Sequence, residues 1–181
     1  AGGVERANTL LVAACDAYAR RKPLTAEAEQ FEALARRLFP TAAPTARARA
    51  AAILASAQHL TPQLEILVYD HLGTGLIAHL ERAPSLSDDV MERLIGKGNA
   101  DVIAAIARRP ALSNAILARL FPVNSRKVYR ALAANVSIAP RGAYLNALTR
   151  SAEMDHEVAA ILAEREDFDA ALLTGVFFFF F

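Results

Sequence analysis

Four histidines, one cysteine, two glycine pairs and one acidic pair are the residues of this 181-residue chain that could do chemistry. A zinc site needs ligands gathered from a few tightly spaced positions. His59, His71, His79 and His156 include no His-x-x-x-His pair, and His71 and His79 fall on different predicted helices. They read as surface or partly packed side chains. His79 stands where other copies of an internal repeat carry Ile53, Ala105 and Ile161, which predicts partial burial. Nucleophilic catalysis by Cys15 would require a base beside it. The nearest histidine in sequence is His59, and the neighbouring Ala13, Ala14 and Ala17 point instead to a small buried hydrophobe. Gly73-Thr-Gly75 and Gly96-Lys-Gly98 lack both the preceding strand and the Gly-x-x-x-x-Gly-Lys-Ser/Thr pattern of a phosphate loop. Both pairs fall at predicted helix ends, where glycine tolerates positive φ. Asp88-Asp89 follows the predicted cap Ser87, where acids complement the helix dipole. The expectation is no catalytic residue, no metal ligand and no cofactor.

Charge is more informative than motif. A net charge of +1 hides a divided chain. Residues 61–101 carry 3 bases and 7 acids, and residues 153–181 carry 1 base and 7 acids. Between them, residues 102–152 carry 8 bases and no acid: Arg108, Arg109, Arg119, Arg126, Lys127, Arg130, Arg141 and Arg150. The expectation is a positive band between two acidic ones, suited to phosphate groups or an acidic partner. Arg108, Arg109, Arg126, Lys127, Arg130 and Arg141 are the candidate partner-binding residues. Arg130 stands where four sister copies have Ala, and Arg126 lies one helical turn before it, behind the predicted cap Ser125.

The elements that must carry these residues follow from self-similarity at a period of about 26 residues. Val102-Ile-Ala-Ala-Ile106-Ala-Arg-Arg-Pro110-Ala-Leu112-Ser113 is echoed by Leu76, Leu80, Leu86 and Ser87, and by Ala50, Leu54, Leu60 and Thr61. Further copies read Val128, Leu132, Asn135, Ile138 and Val158, Leu162, Arg165, Phe168. Each unit reads as two helices with apolar residues at i and i+4. Thr61, Ser87 and Ser113 sit where the cap of the second helix belongs. Small residues recur at 52, 78, 104 and 160, which predicts close helix approach there. A looser hairpin spans 4–39, a linker 40–45 with Thr45 capping the next helix, and regular repeats 46–175. A hairpin cannot bury its apolar stripe alone, so about six must stack.

This pattern resembles HEAT-like and leucine-rich-repeat-variant helical repeats, and residues from about Val4 to Leu173 are similar to an uncharacterised bacterial family of such repeats. The resemblance implies an all-α, right-handed α-solenoid forming one domain over 1–175, with a concave interaction surface. A related fold hosts a DNA glycosylase, but its aromatic and acidic site has no counterpart in a chain without Trp. With 54% hydrophobic residues the chain is not disordered, one cysteine excludes an internal disulfide, and no apolar stretch reaches the roughly 18 residues of a membrane helix. A cytosolic location is expected. Residues 176–181, ending in five consecutive Phe, form an anomalous tail from which no function is drawn. The expected function is a non-catalytic scaffold that binds another protein. The alternative is a nucleic-acid-binding module using 102–152, and a HEAT-like-fold enzyme ranks third. The oligomeric state is left open.

Overall fold

The computed structural model describes residues 2–20, 23–83 and 86–168. The tail at 176–181 and the end of the expected repeats at 169–175 therefore lie outside the described residues. Among those described, the chain is all-α, with α1 (Gly2–Ala19), α2 (Thr25–Thr41), α3 (Pro44–Leu54), α4 (Pro62–His71), α5 (Leu76–Arg82) and α6 (Asp88–Gly96). They are followed by α7 (Ala100–Ala107), α8 (Asn114–Leu120), α9 (Arg126–Ala134), α10 (Gly142–Met154) and α11 (His156–Ala163). The helices group into two compact units, residues 1–79 and 80–181, with the division inside α5.

In the first unit α1 packs on α3 and α2 on α4, and α1 also packs on α2 and α3 on α4. Leu11, Cys15, Phe39, Leu54, Leu64 and Val68 form its core, completely buried. The 40–45 linker is corrected by the structure. α2 runs on through Pro40 to Thr41, and carbonyls left at its end find donors: Thr41 Oγ1 and the Ala42 N–H both donate to Leu38 O, at 3.0 Å, and Thr41 Oγ1 also reaches Arg37 O at 3.4 Å. Pro44 then opens α3 at its first position, where a missing N–H costs nothing. Thr45 lies inside α3 rather than capping it, and Asn8 Oδ1 of α1 accepts from the Ala43 N–H at 2.7 Å.

In the second unit α7 packs on α9 and α9 on α11, while α6 packs on α8. The apolar positions anticipated at Leu80, Ile106, Leu132 and Leu162, with Leu54 in the first unit, are all fully buried. Thr61 and Ser113 are caps: their hydroxyls accept from Leu64 N–H and Ile116 N–H and donate to Glu32 and Asp88, both at 2.6 Å. Ser87 holds the cap position of α6 without a side-chain bond to its first turn. Gly73 and Gly98 adopt φ +60° and +73° at helix ends, with open space where a Cβ would stand, so they turn the chain rather than cradle a ligand. The expectation of close helix approach at 52, 78, 104 and 160 fails at three of them. Ala52, Ala78 and Ala160 are exposed and only Ala104 is buried, because small size permits burial without demanding it.

A recurring polar tie joins helix ends about one period apart. The Arg109 guanidinium donates to Leu80 O and to Ala83 O, the latter at 2.9 Å. Asn135 Nδ2 donates to Ala107 O and Arg109 O at 2.7 and 2.8 Å. Arg165 donates to Ala133 O, Asn135 O and Ile138 O at 2.9, 3.2 and 2.8 Å. Each buried side chain thus supplies the donors that carbonyls at a helix end lack.

Candidate functional site

The positive band expected at 102–152 does not survive as a band. A step of 25 to 27 residues brings its cations beside the acids of the flanking blocks. Lys127 Nζ meets Asp101 at 2.6 Å, Arg108 meets Glu81 at 3.4 Å and Arg119 reaches Glu92 at 4.0 Å. Arg130 grips Asp155 bidentately, Nε to Oδ2 at 2.9 Å and Nη2 to Oδ1 at 3.1 Å, and also pairs with Glu157. Arg109, expected on the surface, is buried with its guanidinium committed to main-chain carbonyls. The acidic blocks, expected to stand apart on either side of the band, instead neutralise much of it. Arg126, Arg141 and Arg150 remain, exposed and without an ion pair among the described residues.

Two of these three share a cleft of about 590 Å³ formed by the α8–α9 junction, α9 and α10. Its apolar lining is Phe121, Pro122, Tyr129, Ala147 and Met154, and its polar lining is Asn124, Ser125, Arg126, Arg150, Ser151 and Asp155. The aromatic part is built rigidly: Phe121 stacks on Tyr144 with centroids 4.5 Å apart, and Tyr129 OH donates to Phe121 O at 2.6 Å. Burial pushes the Tyr129 phenol above its ordinary range, against the pull of the Arg150 charge. Burial also works to raise the Asp155 carboxyl, but the Arg130 hydrogen bonds, the Glu157 N–H and the charges of Arg130 and Arg126 outweigh it and hold Asp155 below the usual carboxylate range. Asp155 is therefore an anion already spent, capping α11 through the Glu157 N–H at 3.1 Å.

Arg126 occupies the first position of α9, whose cap residue Ser125 makes no side-chain bond to the helix. A cation there opposes the helix dipole by roughly 0.3–1 kcal/mol. Lys127 recovers such a cost through Asp101, whereas Arg126 has only the more distant field of Asp155. Arg150 was counted in the band but not singled out by sequence reasoning. The available signal was the longer step of 30 residues from Val128 to Val158, against 26 between earlier copies; α10 takes up that length, thirteen residues against seven for α8, and Arg150 lies on its added turns. Arg141 stands at the cap position of α10 and is not among the cleft residues.

The other chemically capable residues are occupied by packing or scattered. His71 stacks on Phe39 at 5.1 Å and His79 lies against Tyr69 at 5.5 Å, partly buried as anticipated. His59 and His156 are exposed. Burial pushes the Cys15 thiol up to about 12, so it stays protonated and unreactive at neutral pH. Among the described residues no three His, Cys, Asp or Glu side chains gather as a metal site would require, and no helix is long and apolar enough to cross a membrane.

Among the described residues the fold is all-helical, and the cleft joins an apolar wall to two exposed cations. Residues 77–179, which include the whole cleft, match a family described as an uncharacterised protein conserved in bacteria (DUF2336), and the chain belongs to that family. No curated protein and no solved structure matches it.

Proposed function

We propose that the chain is a non-catalytic scaffold of HEAT-like helical hairpins, stacked within each unit, that binds another protein through the cleft of α8–α10. Stacked hairpins account for helices packing on the next but one and for side-chain ties 25 to 32 residues apart. The observation that carries the functional reading is the contrast between cations. Five of the eight in 102–152 are engaged by acids or carbonyls, while Arg126 and Arg150 face one apolar-lined recess without an ion pair among the described residues. An unpaired cation beside apolar surface gains most from a partner that offers both a carboxylate and a side chain to bury.

The nucleic-acid alternative is less well supported. Base stacking needs free aromatic faces, and Phe121 is buried against Tyr144 while the Tyr129 hydroxyl is held by the main chain. An enzyme is less well supported again: the cleft is lined by no His or Cys, and its one carboxylate is engaged by Arg130. The test is capture from bacterial extract on the immobilised chain, with and without nuclease. A protein retained after nuclease and released by salt is the expected result. Capture that disappears with nuclease would replace this reading with the nucleic-acid one.

A further inference from the structure

We infer that the segment the cleft receives is an extended acidic stretch of the partner in which carboxylates stand next to an apolar anchor. The inference rests on the protein-binding reading above and specifies its chemistry. Arg126 and Arg150 come from different helices, α9 and α10, and line the same recess. Two guanidiniums on separate elements match two separate carboxylates better than one, because each fork is satisfied by a single bidentate acid.

The apolar requirement has its own basis. Met154 is 75% exposed, the second largest exposure among the large hydrophobic side chains of the described residues, and it lines this cleft with Pro122 and Ala147. A flexible thioether at an open apolar wall adapts to a buried anchor side chain. The cleft volume falls in the range of sites that enclose small ligands, enough for a short peptide stretch. Peptide rather than a free diacid is favoured by Asn124, Ser125 and Ser151, which bring both donors and acceptors to the lining. An extended backbone presents N–H and C=O groups to match both, whereas a diacid can use only the donors.

The experiment is selection of a random octapeptide display library on the full chain, followed by titration of the enriched peptides in labelled form. Enrichment of Asp or Glu next to Leu, Phe or Met is expected. Binding should fall about tenfold or more in the Arg126→Ala/Arg150→Ala double variant and severalfold in Met154→Ala, and should stay within about twofold in Arg108→Ala/Arg119→Ala. Circular dichroism and thermal melting establish that each variant is folded. Enrichment without acids, no enrichment, or equal binding by the cleft double variant would overturn the inference. If an extract protein is still captured, and lost in the cleft double variant, while no acidic peptide binds, only the peptide chemistry is wrong. If neither protein nor peptide binds, the protein-binding reading falls with it.

Discussion

Asn135 and Arg165 do more for this chain than their polarity suggests. Asn135 donates to two carbonyls and Arg165 to three, all at the ends of helices or the turns beyond them. Removing such a donor leaves buried acceptors unsatisfied, at about 1–3 kcal/mol for each group. Asn135→Ala should therefore lose roughly 2–4 kcal/mol in urea unfolding, well beyond an ordinary surface change. At the apolar positions, Ile106→Ala or Leu132→Ala should cost about 2–5 kcal/mol, because both are fully buried and their neighbours can close the cavity only in part. A loss below about 0.5 kcal/mol would contradict the repeat register. These apolar residues were legible in the sequence because burial demands size and period together. The alanines at 52, 78 and 160 were not, because alanine fits a helix on either side. Arg109 misled for a related reason: a guanidinium reads as surface charge until its carbonyl partners are known.

At the scale of elements, the hydroxyls at the hairpin junctions join two helices at once. Thr61 and Ser113 each accept from their own helix and donate to an acid 29 or 25 residues earlier. Thr61→Ala and Ser113→Ala should each cost about 0.5–2 kcal/mol in thermal or denaturant unfolding, with the core positions unmoved. Such junctions were legible because caps follow local rules. The boundary between α2 and α3 was not, since two prolines four residues apart read as a linker. One of them in fact opens a helix and the other is tolerated in a last turn. Arg150 was missed for an element-scale reason as well: the extra turns of α10 carry it to the cleft, and copies aligned by repeat have no counterpart for them.

For the whole molecule, linear charge counting failed where periodic folding pairs distant acids and bases. Most such pairs are exposed and contribute little, about 0–1 kcal/mol each, so their main effect is to cancel the field. Asp155 is the exception, with its side chain 3% exposed. Its carboxyl is held below the ordinary range, so the folded state binds its proton less readily than the unfolded chain does. Stability from this group is present above the unfolded value near 3.9 and is lost as pH falls through the lower folded value. Wild type should therefore lose stability over that acid window, and the gap to Asp155→Asn should narrow there while staying constant above about pH 5. An unchanged gap across the window would show that Arg130 and Asp155 do not act as a pair.

On the proposed function, the working cations are those of the cleft rather than those of the neutralised band. Arg126→Glu/Arg150→Glu and Arg108→Glu/Arg119→Glu lower the net charge equally, and all four positions are exposed. Any difference between the two double variants in capturing a nuclease-resistant protein partner therefore reports on place and not on overall charge. Titration of that partner should show affinity falling about tenfold or more in the cleft pair and staying within about twofold in the other. Equal loss in both pairs, or undiminished binding by a folded cleft variant, would contradict the claim.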